Sequence, residues 1–319
     1  MAFKVVDKVK KADKIWVNGE FMNWDDCKIH VVSHVIHYGS ALFEGFRAYK
    51  TPRGPAAFRL KEHVRRLYDS CKIYRMEIPY PQRDFAQAVL DTIKVNKHEA
   101  CYVRPIVFRG YGAVGVNPMP APIDCVVATW EWGSYLGAEA LEKGVDVCVS
   151  SWNRQAPNTT PAMAKCSANY ASGALIKMEA ILEGYEEGIA LDRTGYVSEG
   201  SGENIFLVRD NVLLTPDLGS SVLAGITRNC VTKIATQVLG LTVREVRIPR
   251  EALYIADEVF FTGSAAEITP VRSIDKVPIG KGSRGEVTRR IQEEYMGIVK
   301  GEREDRWGWL TYAKEGLTW

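Results

Sequence analysis

Three short segments carry the residues that could do chemistry. In SEGSGENIF, residues 198–206, the carboxylates of Glu199 and Glu203 stand among Ser198, Gly200 and Gly202 in a strand-like context. In AMAKCSANY, residues 162–170, one lysine, Lys165, stands among small residues, and LAGITRN, residues 223–229, opens an apolar-periodic stretch. Taken alone, the first segment reads equally well as a polar bulge in a sheet, because glycine within a strand often marks one. Taken together, the three are the parts of a pyridoxal phosphate site. That cofactor needs a lysine amine for a Schiff base, an acid facing the pyridine nitrogen, a donor to the ring hydroxyl and a cradle for the phosphate. Glu199 is suited to keep the ring nitrogen protonated, so that electrons leaving a substrate α-carbon drain into the ring. Gly225, Ile226 and Thr227 sit where a helix begins, and there free N–H groups and the positive end of the dipole converge on an anion. Apolar Ile226, Cys230, Val231, Ile234, Ala235 and Val238 follow at helical spacing.

The elements that must position these groups are mixed. Strand-like runs appear at KIWVNG, FRAYK, CYVRPIVF and CVVATW, and helix-like segments run from about 61 to 75 and from 82 to 95. Beyond Trp130 an aromatic, glycine-bearing connection leads to strands near 145–150, 188–192, 196–208 and 257–262. These alternate with helices near 169–183, 226–239 and 283–299. The expected fold class is α+β, mixed α and β, in two domains: an N-terminal domain over 1–130, a connection over 131–143 and a cofactor-binding domain over 144–319. The length of 319 residues supports two domains.

Charge and cysteine usage narrow the partners. With 41 basic against 39 acidic side chains the formal charge is +2, which predicts no strong pull on nucleic acid or anionic membranes. No apolar run approaches the roughly 20 residues of a membrane span, and MAFKVVDKVKKADK is too charged for a signal peptide, so a cytoplasmic location is expected. The seven cysteines are scattered, with neither a CxxC pair nor a disulfide framework, so reduced thiols are expected. Cys166, next to Lys165, has no base in its sequence neighbourhood and reads as lining. The sequon at Asn158 has no secretory context.

Two rival chemistries are weaker. His30, His34 and His37 in HVVSHVIH have i, i+4, i+7 spacing that could gather imidazoles for a metal. The segment's valine and isoleucine favour strand or irregular structure instead, and no cysteine or carboxylate nearby completes a ligand set. A hydrolase triad would draw its histidine from the first 98 residues, with no G-x-S-x-G turn to place a nucleophile.

Several segments in one order resemble the branched-chain amino acid aminotransferases, fold-type IV pyridoxal phosphate enzymes, over nearly the whole length. They are HYGSALFEGFRAY (37–49), EHVRRL (62–67), YVRP (102–105), WGSYLGAEAL (132–141), SSWNRQAPNT (150–159), the lysine segment, GYVSEGSGENIF (195–206), LAGITR (223–228) and ADEVFFTGSAAEITPV (256–271). The resemblance implies that Lys165 is the Schiff-base lysine, that Glu199 faces the ring nitrogen and that Tyr170 donates to the ring hydroxyl. It implies a phosphate held by Arg66, Ser264 and the Ile226 and Thr227 amides, with Leu223 packed on the ring. Because Arg66 precedes the connection, the site is expected between domains. One departure stands out: Cys166, Ser167 and Ala168 follow the lysine where many relatives carry glycine-rich sequence.

The substrate class follows from the same resemblance. Phe43, Gly45, Trp132 and Tyr135 are assigned to an apolar pocket for a branched side chain, and Tyr102 with the Ser264 and Ala265 amides to the substrate carboxylate. Tyr38 adds aromatic surface, although aromatic residues fill cores as readily. Arg104 shares a strand face with Tyr102 by the period of two, and in the family that arginine meets the distal carboxylate of 2-oxoglutarate. The expected reaction transfers the amino group of leucine, isoleucine or valine to 2-oxoglutarate, with Lys165 as both anchor and base. YVRP favours it over transamination of D-amino acids or amines on the same fold; a lyase reaction is a further rival within the cofactor class. The glycine-rich loop 109–118 is expected to cross to a partner subunit and bring Val116 over its pocket, in a homodimer or higher homo-oligomer.

Overall fold

The structure is a computed structural model that describes residues 9–133 and 139–319. Its chain builds two sheets, mixed α and β as expected. The first is antiparallel throughout, in the spatial order Leu310–Tyr312, Gly54–Phe58, Phe46–Thr51, Cys101–Arg109, Ile123–Trp130, Lys14–Val17 and Glu20–Asn23. The short strand Ala41–Phe43 also pairs with Cys101–Arg109. The helices Leu60–Ile73 and Gln82–Val95 close one core with this sheet. Leu60, Val64, Leu67 and Cys71, at helical spacing, supply the buried stripe of the first helix. Ala164 and Cys166 belong to that same core, so the lysine segment is packed against the first sheet although it lies far along the chain.

The second sheet runs Val197–Gly200, Glu187–Leu191, Val145–Val149, Glu267–Ile274, Glu258–Gly263, Asn204–Arg209, Val212–Thr215 and Thr242–Glu245. It mixes parallel and antiparallel pairs. The long helices Asn169–Leu182, Ile226–Gln237 and Glu286–Val299 and the short helix Ala140–Lys143 accompany it. A hydrophobic cluster containing Phe58, Trp309 and Leu310 from the first sheet side and Phe206, Phe260 and Tyr295 from the second joins the two units.

Three expectations change in detail. The strand foreseen over 196–208 is two strands, Val197–Gly200 and Asn204–Arg209, separated by the turn at 201–203, and the register against Glu187–Leu191 shifts between Val197 and Gly200. The small residues therefore break the strand, placing Glu199 within one piece and Glu203 in the turn. In HVVSHVIH, residues 30–33 are irregular, as the sequence allowed, while 34–37 begin a short helix, His34–Tyr38, closed by the Gly39 N–H donating to the Val35 carbonyl. The strand Leu310–Tyr312 returns the end of the chain to the first sheet, at its edge beside Gly54–Phe58.

Candidate active site

A cavity of about 380 Å³ opens between the two sheets. Its walls gather Phe43, Gly45, Arg66, Tyr102, Arg104, Trp132, Lys165, Tyr170, Glu199, Leu223, Gly225, Ile226, Thr227, Ser264 and Ala265, all singled out from the sequence. Arg154, Asn204 and Glu203 line it too.

The Lys165 backbone is fixed from both sides, by the helix Leu60–Ile73 and by the strand Ala41–Phe43 of the first sheet. Its N–H donates to Ser70 Oγ at 3.1 Å and its carbonyl accepts from the Phe43 N–H at 3.0 Å. The departure after the lysine has a purpose visible here. Ser167 donates its N–H to the Ala41 carbonyl at 2.8 Å and its hydroxyl to the Gly39 carbonyl at 2.8 Å, while buried Cys166 bridges to Leu42. The lysine is thus held by specific side chains, and its Nζ stands 2.5 Å from the Tyr170 hydroxyl and 5.0 Å from the Phe43 ring centre. Cys166 is fully buried in the core beside the first sheet and does not line the cavity, contrary to its reading as lining, and all seven cysteines are free.

Glu199 is buried and meets three donors. Arg154 Nη2 is 2.7 Å from its Oε1, while Asn204 Nδ2 at 2.9 Å and the Leu223 N–H at 3.1 Å serve its Oε2. Burial pushes its carboxyl up, and the Arg154 charge and the Leu223 N–H pull it back toward ionisation. Arg154 and Asn204 were not foreseen as functional. Both fall inside quoted segments, SSWNRQAPNT and SGENIF, but a long-range polar partner leaves no periodic trace that could single it out. Among the described residues the carboxylate of Glu203, four residues on, accepts only the Gly202 N–H, at 3.1 Å. Burial, then the charge of Glu187, push it up to about 8.

The start of the helix Ile226–Gln237 faces the cavity with no side chain capping it, so its first N–H groups are free for an anion. Gly225 precedes it because nothing larger fits: a Cβ there would lie 1.8 Å from Asn204 Oδ1. Arg66 reaches the same corner, donating from Nη1 to the Ala224 carbonyl at 2.9 Å. Ser264 and Ala265 form the facing turn.

The opposite end is aromatic. Tyr102 and Arg104 share one strand face, with Arg104 Nη2 3.4 Å from the Tyr102 hydroxyl. The guanidinium lies 4.7 Å from the Phe43 ring centre, 5.4 Å from that of Tyr102 and 5.9 Å from that of Trp130, and among the described residues no carboxylate pairs with it. Gly45 leaves room that a Cβ would take from the Tyr102 hydroxyl, 2.0 Å away. Two residues named from the sequence are not brought to this cavity. Tyr38 is exposed and stacks on His34, with ring centres 4.6 Å apart, and Val116 is 86% exposed in the loop after Arg109. Tyr135 lies outside the described residues. The three histidines do not converge either. His34 engages Ser40 Oγ and the Gly115 carbonyl, His37 the Val31 carbonyl and His30 the Val32 N–H, so the metal reading finds no ligand set. Among the described residues no helix is long and apolar enough to cross a membrane.

Residues 41–274 match the family model described as Amino-transferase class IV. The chain belongs to the class IV aminotransferases. Among curated members of the family it is 53% identical, over 302 residues, to the branched-chain-amino-acid aminotransferase of Salmonella typhimurium, a match covering 94% of this chain and 97% of that one. The crystal structure of the Escherichia coli branched-chain amino acid aminotransferase superposes with a TM-score of 0.93 at 52% identity, covering 95% of this chain and 100% of that chain. The branched-chain amino acid aminotransferase from Thermobaculum terrenum, in its PLP-bound holo form, gives 0.88 at 31%, covering 94% and 98%. Within this family the two-domain, fold-type IV architecture expected from the sequence is the one observed.

The raised carboxyl of Glu203 has a consequence for stability. A group whose folded pKa lies above its unfolded value binds more protons in the folded state, so stability falls as pH rises from about 4.5 to about 8. Glu203→Gln removes that dependence. Between pH 6 and pH 9 the variant should lose less unfolding free energy than the wild type, by about 1–3 kcal/mol, since one pH unit of such a window corresponds to about 1.4 kcal/mol. Urea denaturation at the two pH values measures the difference, and equal losses would show that Glu203 is ionised throughout.

Proposed function

We propose that the cavity holds pyridoxal 5'-phosphate and that the chain transfers the amino group of leucine, isoleucine or valine to 2-oxoglutarate, giving branched-chain 2-oxo acids and glutamate. The donor set fits the cofactor. A lysine amine beside a phenol, a buried carboxylate served by three donors, and the uncapped helix start at Gly225 border one cavity. Arg66, Ser264 and the Ile226 and Thr227 amides would hold the phosphate, Leu223 the ring face, Tyr170 the ring hydroxyl and Glu199 the ring nitrogen. The cofactor supplies an aldehyde for the amino group and a ring that accepts electrons from the substrate α-carbon. Lys165 carries the proton at that α-carbon, and Tyr170, 2.5 Å from its Nζ, orients the amine. Arg154 and Asn204 hold the Glu199 carboxylate in place, and Tyr102 with the Ser264 and Ala265 amides receives the substrate carboxylate.

The observation that carries the substrate reading is Arg104. One pocket must take an apolar branched side chain in one half-reaction and a carboxylate in the other, and Arg104 is a cation set among aromatic rings with its charge uncommitted to any protein carboxylate among the described residues. Phe43, Gly45 and Trp132 supply apolar surface around it, and Tyr135 extends that assignment. Transamination of D-amino acids or amines is the second reading, and the apolar surface of Phe43, Gly45 and Trp132 beside Arg104 favours the branched-chain donors over it. We assign 1–130 and 144–319 to two domains joined by 131–143, with Leu310–Tyr312 added back to the first sheet.

A cytoplasmic homo-oligomer is part of the proposal. Tyr111, Val114, Val116 and Met119 leave the loop after Arg109 richly apolar and exposed, and the buried His34 ring fastens that loop at the Gly115 carbonyl, 3.0 Å away. A second copy supplies its cover, with Val116 and Tyr38 reaching the neighbouring cavity.

Three measurements bear on these assignments. Borohydride reduction of the holoenzyme followed by peptide mapping should place the phosphopyridoxyl label on Lys165, and a label elsewhere would overturn its role. Arg104→Met should slow the half-reaction with 2-oxoglutarate or glutamate about ten- to a hundredfold, because a hydrogen bond to a charged group is worth roughly 1.5–3 kcal/mol. The leucine half-reaction should stay within a few-fold of wild type, and equal losses in both would sink the substrate reading. Sedimentation should find no active monomer; a fully active monomer would rule out the shared site.

A further inference from the structure

Arg66 reaches the cradle under close restraint. Its Nε donates to Glu44 Oε1 at 2.6 Å, its Nη2 to Glu44 Oε2 at 2.8 Å and its Nη1 to the Ala224 carbonyl at 2.9 Å. Glu44 lies in the corner between the strands Ala41–Phe43 and Phe46–Thr51 and is fully buried. His63 shares a face of the helix Leu60–Ile73 with Arg66, three residues earlier, and is fully buried as well. Its Nδ1 is 2.7 Å from Glu44 Oε2, and its ring stacks on Phe46, with centres 4.5 Å apart and planes at 22°.

Electrostatics assigns the proton in this group. Burial pushes the Glu44 carboxyl up, but the Arg66 charge and the hydrogen bonds from Arg66 and His63 hold it well below the usual carboxylate range. Burial pushes His63 down to about 4, so at neutral pH the imidazole is uncharged and donates to Glu44 from Nδ1–H. Its Nε2 then keeps a lone pair with no partner among the described residues. The carboxylate therefore receives three donors and is satisfied, while the arginine commits three N–H groups to protein and retains only two.

A buried ion pair is weak grounds for stability, since desolvation offsets much of its attraction. This pair is more telling for where it stands. Its guanidinium lines the cavity and ties down the carbonyl of the residue just before Gly225, at the helix start. We infer that Glu44 and His63 are positioning residues for the phosphate cradle: they lock Arg66 in the single orientation that tethers Ala224 and turns its remaining N–H groups toward the anion. The inference rests on the cofactor reading above and names two residues that touch neither cofactor nor substrate.

The test compares apoprotein and holoenzyme. Pyridoxal phosphate is titrated into wild type, Glu44→Gln, His63→Leu and His63→Asn, reading the dissociation constant from visible absorbance and the melting temperature with and without cofactor. Glu44→Gln should weaken the cofactor about ten- to a hundredfold, the loss of two charge-assisted bonds to Arg66, and shrink the gap between holo and apo melting temperatures. His63→Leu should weaken it several-fold, whereas His63→Asn, whose amide can still donate to Glu44, should restore binding to within a few-fold of wild type. If all variants melt lower but keep wild-type affinity and an unchanged gap, the group is only structural and the inference is overturned. The inference also fails if His63→Leu and His63→Asn bind alike, which decides the matter should Glu44→Gln fail to fold. A wild type that takes up no pyridoxal phosphate overturns the cofactor reading itself, a result distinct from a wild type that binds and variants that bind equally well.

Discussion

A carboxylate taken out of water must be met by donors, and the cavity is organised around two that are. Glu199 has Arg154, Asn204 and the Leu223 N–H, and Glu44 has the Nε and Nη2 groups of Arg66 and the ring of His63. Left unpaired, each would be expelled or protonated. Because the donors come from distant stretches of chain, satisfying each carboxylate also fastens a loop. Arg154 ties residues 150–159 to the strand Val197–Gly200, and its own N–H donates to the Leu191 carbonyl at 2.9 Å. Asn204 joins two partners at once, since it serves Glu199 with one hydrogen of Nδ2 and the Leu223 carbonyl with the other, at 2.9 Å each.

The same asparagine explains why the helix start is where it is. With Asn204 holding the Leu223 carbonyl and Arg66 holding that of Ala224, the segment before Gly225 is pinned from the second sheet and from the helix Leu60–Ile73. Gly225 then admits the close pass beneath Asn204 that any side chain would block. The free N–H groups of the helix Ile226–Gln237 are aimed by these contacts and not by a capping side chain, which leaves them available to a ligand.

What the sequence made legible was local. The helix over 82–95 forms at those bounds, because its apolar spacing and the turn before it suffice, and the helix start at Gly225 follows from the same kind of pattern. Lys165 and Glu199 were legible because their residue types and small neighbours state a chemistry, and Tyr170 through the family resemblance alone. Arg154, Asn204, Glu44 and His63 were not, since each matters through a contact made across the fold, which leaves no period in the chain. The split of 196–208 hid for a related reason: Gly200 and Gly202 tolerate both a bulge and a turn, and the choice is made by what packs above them. Gly173 of the neighbouring helix passes so near that a Cβ on it would lie 2.3 Å from the Ser201 carbonyl. The strand Leu310–Tyr312 has too few residues to show alternation, and only its pairing with Gly54–Phe58 makes it a strand.

The charges lining the cavity bear on how one site could serve both halves of the proposed reaction. Arg66, Arg104, Arg154 and Lys165 face it, against Glu199 and Glu203. Arg66 and Arg154 are each committed to a buried carboxylate, and Glu203 is held toward its neutral form, so the local balance is set by Arg104 and Lys165. Such a field favours anions without binding any one of them tightly. A dicarboxylate and a monocarboxylate with an apolar tail can then exchange in the same place. The difference between them falls on Arg104, whose aromatic surroundings accept a hydrocarbon chain where its guanidinium accepts a carboxylate.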